Sequence, residues 1–302
     1  MVSIPQRYLK LTLYAGRKGR KDTKVLSFLD INAKINFNTS IAMFGSSSEA
    51  NINITGLTVD KMSYLATSFS MWQKWRVYNS IEIDAGYEGK HQVIFTGTII
   101  DAVPSLEGAD YSIALKCSSH YDFATTPDSR QFKGKVSVKD ICKQIAKDIK
   151  AALVYATNAE AFVEDYSYSA QNIQTQLRNL SQTTGLNIYL VNNRLYVTKN
   201  GGAVDKIPTL KITTADIIGA PRPNAQGCNL SIKMNTELVT GQPVELISYK
   251  FPQLNSYQYY VAYFSHTGET KGRKWQTDVK LIRRNILNGE LKHNAEPVTG
   301  GE

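Results

Sequence analysis

Alternating apolar and polar residues predict β-structure in the first 120 residues of the chain. In residues 8–14, Leu9, Leu11 and Leu13 fall on one face, as in a half-buried strand. Similar patterns or apolar runs predict strands at residues 25–31, 49–55, 81–87, 93–100 and 112–117. Strands this short and this closely spaced are typical of an antiparallel sandwich or barrel.

One short helix is predicted between these strands. Gly56 is expected to end the strand before it, and Thr58 carries a hydroxyl that can cap a helix. The apolar residues from Val59 to Phe69 then recur at helical spacing.

The middle of the chain changes from strand to helix periodicity. Ser137 begins a predicted helix whose apolar face extends to Leu153, and Ser169 precedes a second helix. A hairpin follows over residues 186–198. Residues 121–205 are therefore predicted to form a small α+β insert.

Strand patterns return after residue 206, at residues 228–234, 244–251, 257–266 and 275–283. The tyrosine-rich run at residues 257–264 carries aromatic rings on both faces. Such a run indicates either a strand at an oligomer interface or a central barrel strand, and the sequence leaves both interpretations open.

These patterns give a fold class of α+β, mainly β, with two antiparallel β-barrel or sandwich domains and an inserted α+β domain. The domain bounds are 1–120 for the first β domain, 121–205 for the insert, 206–290 for the second β domain and 291–302 for a flexible C-terminal tail.

Composition excludes several classes of protein. The 302 residues contain no apolar run near the ~20 residues of a membrane-spanning helix, so no membrane insertion is expected. The N-terminal residues do not follow a signal-peptide pattern. Cys117, Cys142 and Cys228 form no closely spaced pair, so we expect reduced thiols and synthesis in a cytoplasm.

The net charge of +9 is concentrated at the two ends of the chain. Residues 1–24 carry seven basic and one acidic side chain, and residues 266–293 carry seven basic and three acidic ones. Residues 25–265 carry 21 basic and 20 acidic groups, which is close to neutral. The charge therefore indicates two basic ends on a neutral body.

Both basic ends and the tyrosine-rich run are expected to bind partners. For the loop at 17–24 an acidic protein surface is favoured over nucleic acid, because no aromatic residue lies between Tyr14 and Phe28 to stack on bases. A merely solvated loop stays open as the alternative. The residues proposed for partner binding are Arg17, Lys18, Arg20, Lys21, Lys24, Tyr257, Tyr259, Tyr263, Lys271, Arg273 and Lys274.

No motif predicts an enzyme, a cofactor or a metal site. The four histidines (His91, His120, His266 and His293) lack metal-ligand spacing, and no nucleophile elbow or phosphate-binding glycine loop occurs. Proximity of His266 to Glu269 suggests an acid–base pair, but a turn with a polar rim is the favoured interpretation. The acidic residues Glu160, Glu164 and Asp165 are expected to be solvated.

The order of several segments resembles the central baseplate hub proteins of tailed bacteriophages, with a contractile tail as the favoured type. The segments are residues 49–58, a short helix, residues 81–89 and 93–99, and the closing stretch 266–277. Glu269 stands where the family usually has Asp. The likeness covers most of residues 1–285, and its motif positions are Gly56, Leu57, Ala85, Gly86, Tyr87, Phe95, Gly97, His266, Gly268 and Trp275.

This resemblance implies a structural virion protein in the tail baseplate, made in the cytoplasm of a host bacterium. Hubs of this kind form homotrimers in which each subunit supplies two tail-tube-like barrels. The ring joins the hexameric tail tube protein to the trimeric central spike protein, contacts other baseplate proteins and encloses DNA only in passage. The basic ends are expected on outer or axial faces, because a strongly basic channel would retard DNA.

Three other functions fit the sequence less well than the hub. Another tail-tube-like component, such as a distal tail or tube-completion protein, is disfavoured because it needs one barrel rather than two. A nucleic-acid-binding β-barrel protein would show strongly salt-dependent DNA binding. A carbohydrate-cleaving enzyme lacks the expected pair of carboxylates.

Overall fold

A computed structural model gives the fold of most of the chain. It describes residues 5–15, 24–29, 34–42, 48–69, 79–107, 110–119, 129–158, 160–169, 173–191, 194–199 and 207–284. Strands dominate and their pairing is mainly antiparallel, which confirms the predicted α+β, mainly β class. None of the helices in these ranges is long and apolar enough to cross a membrane.

The described residues of the first part of the chain form seven strands and one helix. They are β1 (Arg7–Ala15), β2 (Lys24–Leu29), β3 (Lys34–Ala42), β4 (Glu49–Leu57), α1 (Val59–Phe69), β5 (Ser80–Tyr87), β6 (Lys90–Glu107) and β7 (Asp110–Ser118). The predicted strands and helix are confirmed, with three differences. Strand β3 was not predicted. Strand β4 continues past Gly56 through a bulge opposite β7. Strand β6 is much longer than expected, because Pro104 is accommodated without ending it.

The middle of the chain forms its own small sheets and two helices. The elements are β8 (Arg130–Gln131), β9 (Lys135–Ser137), α2 (Val138–Asp148), β10 (Ala152–Tyr155), β11 (Phe162–Glu164), β12 (Ser167–Tyr168), α3 (Ile173–Thr184), β13 (Leu186–Val191) and β14 (Arg194–Lys199). Both helices and the hairpin are confirmed. The predicted helical position of Leu153 is wrong, because α2 ends at Asp148 and Leu153 lies in β10, parallel to β14.

The last part returns to strands. They are β15 (Leu210–Thr213), β16 (Ile217–Asn224), β17 (Gly227–Lys233), β18 (Pro243–Ile247), β19 (Gln258–Glu269) and β20 (Trp275–Arg283), with a short 3-10 helix at Pro252–Ser256. The predicted strand at 244–251 ends early at Ile247, since the chain turns there into the 3-10 helix. Strands β15 and β16 were not predicted.

One large sheet joins the two ends of the chain. Its strand order is β16-β17-β20-β19-β3-β4-β7-β6-β5-β1-β2, and β18 with β15 branches from β19. Strand β6 pairs with β5 through residues 90–98 and with β7 through residues 98–107, so the sheet changes neighbours along this one strand. The pairing of β19 with β3 brings C-terminal residues against the N-terminal part.

Buried apolar residues form three clusters. The first contains residues from β1 to β7 and α1, together with Met234 and Trp275 from the last part of the chain. The second contains residues from Ile212 to Leu281, together with Tyr189 and Tyr196 from the middle hairpin. The third contains residues between Val138 and Val197. The shared residues show that the last part of the chain packs against both the first and the middle part.

Candidate functional site

The chemical groups typical of an active centre are not assembled in this protein as far as it is described. No three His, Cys, Asp or Glu residues in the described ranges are placed to hold a metal ion. Cys117, Cys142 and Cys228 are buried, and burial raises the pKa of each thiol. These thiols therefore stay protonated near neutral pH and are poor nucleophiles. None of the three cysteines is assigned to an ion or cofactor site.

His266 is a buried structural residue rather than part of a polar turn. It lies within β19 and is 1% exposed, and its Nδ1 is 2.9 Å from Oγ1 of Thr277 on β20. Burial lowers the pKa of the imidazole to about 3, so the ring is neutral. Glu269 lies three positions along the strand, on its other face. The polar turn expected here begins only at Glu269 and does not include His266, and the two side chains do not form an acid–base pair.

The motif residues converge where the two ends of the chain meet. Trp275, the first residue of β20, donates from its indole nitrogen to the carbonyl oxygen of Gly86 in β5, at 3.1 Å. Its ring packs edge-on against Phe37 of β3, with centroids 5.7 Å apart. The guanidinium of Arg7 lies over the same ring. We name Arg7, Phe37, Gly86, Gly268 and Trp275 the junction cluster.

Two glycines make this close packing possible. A Cβ on Gly268 would lie 2.3 Å from the Phe37 ring and 2.8 Å from the Trp275 ring. A Cβ on Gly86 would lie 2.5 Å from the carbonyl oxygen of Lys90, and its φ of +151° is unfavourable for other residues. Both glycines are therefore required by the fold itself.

The other motif positions also have structural surroundings. Leu57, Ala85 and Phe95 are buried in the first cluster, and Tyr87 packs against it. A Cβ on Gly97 would meet the Phe95 ring at 2.6 Å. The sequence motif thus describes the packing of the fold, and a residue that contacts a partner has to be sought on the surface.

The residues predicted to bind partners are not equivalent in the structure. Tyr259 is 1% exposed and donates from its hydroxyl to the carbonyl oxygen of Leu254, so the partner-binding role predicted for it is wrong in this conformation. Tyr263 is half-buried and Tyr257 is 43% exposed. Strand β19 has neighbours on both sides, which supports the central-strand interpretation of the tyrosine-rich run. Arg17, Lys18, Arg20 and Lys21 lie outside the described residues, as do His120 and His293.

The remaining basic candidates are on the surface. Lys24 is exposed at the start of β2, with its ammonium 3.9 Å from the centre of the Tyr64 ring. Lys271, Arg273 and Lys274 are exposed together in the turn between β19 and β20. The structure therefore groups the last three and separates them from Lys24.

Among the described residues, one face of the large sheet is mainly polar, and side chains such as Asn38, Asn51 and Lys116 are exposed on it. Along β16-β17-β20-β19-β3-β4-β7-β6 the opposite face holds the buried apolar side chains, against which α1 packs. Cross-strand neighbours on the polar face include Thr267 beside Asn38, Asn38 beside Asn51, and Asn51 beside Lys116. We name this surface, on these eight strands, the polar face.

Charges on the polar face balance. Among the described side chains the cations are Lys34, Lys116, Arg222, Lys233 and Lys280, and the anions are Glu49, Asp101, Asp110, Glu269 and Asp278. Uncharged amides and hydroxyls separate them. This composition was not recognised in the sequence, because strand β3, which supplies Asn36 and Asn38, was not predicted. The period-2 alternation of Ile35 and Phe37 with these asparagines is the signal that identifies it.

One basic segment lies within residues 25–265, whose charges nearly cancel in sum. Residues 129–150 carry seven basic and two acidic side chains, and Lys139, Lys143 and Lys147 lie exposed along one side of α2. Summing charge over 241 residues masked this concentration, which a short window would have found. Lys143 is paired with Asp140 at 3.0 Å, so part of the charge is neutralised locally.

Comparison with known proteins gives a consistent result. The model of a protein family described as "Baseplate hub gp41" matches residues 8–279. No curated protein sequence matches the chain.

Solved structures of similar fold include tail proteins. A 43 kDa tail protein of prophage MuSo2 from Shewanella oneidensis aligns over 93% of this chain and 99% of its own, with 10% identity and a TM-score of 0.60. A tail protein from Neisseria meningitidis aligns over 93% and 98%, with 12% identity and a TM-score of 0.61. The E. coli c3393 protein, described as a type VI secretion component structurally similar to bacteriophage T4 tail proteins gp27 and gp5, aligns over 90% and 76%, with 9% identity and a TM-score of 0.55. At these identities the likeness concerns the fold alone.

Proposed function

The chain belongs to the baseplate hub gp41 family, and from that premise we propose that three copies form the ring that adapts the hexameric tail tube to the trimeric central spike. The protein is a structural component of a bacteriophage tail baseplate, and this family implies a role without catalysis. The adaptor role, the homotrimer, contacts with the tail tube, spike and other baseplate proteins, and synthesis in the host cytoplasm belong to the proposal.

The single observation that carries the proposal is the polar face with its two sheet edges. The eight-stranded layer is apolar on one side and polar on the other. No described strand pairs with the outer side of β16, or with β6 beyond residue 98 on the side away from β7. Edge strands with unpaired backbone groups favour strand pairing with another chain. Three such layers joined edge to edge would close into a ring.

The polar face fits the inner wall of that ring. Its balanced charges would neither bind the phosphates of passing DNA nor repel them strongly. Amide and hydroxyl side chains such as Asn38, Asn51 and Thr267 keep the surface hydrated. The apolar face of the sheet would stay buried within its own subunit when the ring forms. In this arrangement DNA passes through the ring without a specific contact.

The domain scheme stays part of the proposal. Two tube-like domains at residues 1–120 and 206–290, separated by the insert 121–205, are supported by the three apolar clusters. A distal tail or tube-completion protein is less well supported, because the family that matches is a hub family. A nucleic-acid-binding barrel has no comparable support.

The test is the mass of the purified full-length protein, alone and after mixing with the tail tube and central spike proteins of the same virion. Native mass spectrometry should give three hub copies, either alone or in complex with the spike trimer. Binding of a tail tube ring to the same complex supports the adaptor role. A protein that stays monomeric and binds neither neighbour contradicts the proposal.

A further inference from the structure

The turn between β19 and β20 carries a concentrated positive charge. Within residues 270–274, here named the basic turn, Lys271, Arg273 and Lys274 are exposed. The carboxylate of Glu269, at the start of the turn, accepts from the backbone nitrogen of Lys274 at 3.4 Å, and no carboxylate in the described part of the chain forms a salt bridge with any of the three cations. Lys90 and Lys211 differ in this respect, because they are paired with Glu237 at 3.1 Å and Glu245 at 3.4 Å. The cations of the basic turn are therefore available to a partner.

The backbone of the basic turn is held by residues distant in sequence. The two terminal nitrogens of Arg7 donate to the carbonyl oxygens of Glu269 at 3.0 Å, Gly272 at 2.7 Å and Arg273 at 3.2 Å. The backbone nitrogen of Thr270 donates to the carbonyl oxygen of Ile35, and the Ile35 nitrogen donates to the Thr270 hydroxyl, both at 3.0 Å. Strands β1 and β3 thus fix the shape of the turn.

We propose that the basic turn is a preorganised docking site for a cluster of carboxylates on a neighbouring protein of the baseplate, and that Arg7 is its positioning residue. A site whose backbone is already ordered loses less conformational entropy on binding. Arg273 can engage a carboxylate through two parallel hydrogen bonds, and the two lysines add point charges. The identity of the partner as a baseplate protein rests on the proposed function.

Protein carboxylates fit this site better than nucleic acid. Only three cations are grouped here, and each phosphate contact contributes a limited, salt-sensitive share of affinity. Binding of single strands usually adds exposed aromatic rings. The nearest ring, Trp275, is 6% exposed and is occupied by Arg7, Phe37 and Gly86.

The experiment measures binding of the full-length protein to a fluorescein-labelled hexaglutamate peptide by anisotropy, titrated to millimolar protein at low salt. A hexaglutamine peptide and a 20-base-pair DNA duplex are compared in parallel. The test variant is K271E/R273E/K274E. The matched control, K139E/K143E/K147E on α2, changes the net charge by the same amount at exposed lysines. Both variants are first checked by circular dichroism and native mass.

We expect the wild type and the α2 variant to bind hexaglutamate within about threefold of each other, and the turn variant to bind at least tenfold more weakly. Hexaglutamine should not bind. Equal weakening in both variants would mean a general charge effect and overturn the proposal. Tighter binding of the duplex, lost specifically in the turn variant, would reassign the site to nucleic acid. No hexaglutamate binding by the wild type would also overturn it.

The role of Arg7 is tested separately with R7Q, which keeps every charge of the turn. We expect faster amide hydrogen exchange in residues 270–274 and about fivefold weaker hexaglutamate binding, with partial recovery in R7K. Unchanged exchange and affinity would contradict the positioning role. Because oligomer mass is recorded for each variant, loss of binding with an intact trimer is distinguishable from failure of the proposed hub assembly.

Discussion

The indole nitrogen of Trp275 donates to the carbonyl oxygen of Gly86, at 3.1 Å and across 189 positions of the sequence. This contact joins the first residue of β20 to Gly86, near the end of β5. It also places the Trp275 ring against Phe37 in the first apolar cluster. The C-terminal strands are thereby locked to the N-terminal ones, so the two β parts should unfold together rather than independently.

Replacing Trp275 by Phe should destabilise this connection. The change removes the hydrogen bond, leaves the buried Gly86 oxygen without its donor and opens a small cavity, so we expect a loss of about 2–4 kcal/mol. Urea unfolding followed by circular dichroism measures it. The control is Tyr249→Phe, since Tyr249 is 83% exposed and the change should cost less than about 0.5 kcal/mol. Equal stability of the Trp275 variant and the wild type would contradict the locking role.

Replacing Gly268 by Ala should destabilise the protein by overpacking. The added Cβ would lie 2.3 Å from the Phe37 ring, and such insertions into a packed core typically cost about 1–3 kcal/mol. A smaller side chain at position 37 should relieve the clash. We therefore expect the loss in the double variant G268A/F37L to be smaller than the sum of the losses in the two single variants. Simple additivity in urea unfolding would mean that the two residues do not compete for space.

The sequence predicted many elements from their local patterns, but it missed β3 despite the regular alternation at Ile35 and Phe37, and it could not indicate features that depend on distant contacts. Strand β1 is predicted by its unbroken alternation, and the hairpin of β13 and β14 is predicted by two apolar runs that flank Asn192 and Asn193. Leu153 was assigned to a helix, since its apolar spacing fits either structure and only parallel pairing with β14 decides it. The sequence leaves Tyr259 open between an interface and a central strand, because a tyrosine suits a wet interface as well as a core. The support of the basic turn by Arg7 spans more than 260 positions, which no local pattern can indicate.

Protonation of His266 should link stability to pH. Burial lowers the pKa of this imidazole to about 3, whereas the unfolded chain has a histidine pKa of about 6.5. The unfolded state therefore binds a proton that the folded state rejects, and stability falls as pH drops from about 6.5 towards 3. The contribution of this one residue between pH 7.5 and pH 5 is about 2 kcal/mol.

The measurement is urea unfolding at pH 7.5 and pH 5 for the wild type and His266→Gln. The variant should be less stable at pH 7.5, because it disturbs the contact with Thr277, but its stability should fall less on acidification. Asp148 is not expected to contribute to the change in stability between pH 7.5 and pH 5. Hydrogen bonding from Arg130 lowers the pKa of its carboxyl below the ordinary value of 3.8, so its effect is confined to more acidic pH. The same pH dependence in both proteins would assign it elsewhere.

Cysteines at the two sheet edges should cross-link neighbouring subunits if the ring closes by strand pairing. Val103 on β6 and Ile218 on β16 are 52% and 43% exposed, and both lie on the polar face. The double variant V103C/I218C should form, on oxidation, disulfide-linked species that end at three copies on a non-reducing gel. Each single variant is the control and should give at most a linked pair. The natural cysteines add no background, because all three are buried. A trimer by native mass that yields no cross-linked trimer at these or adjacent edge positions would mean that the ring closes through another surface.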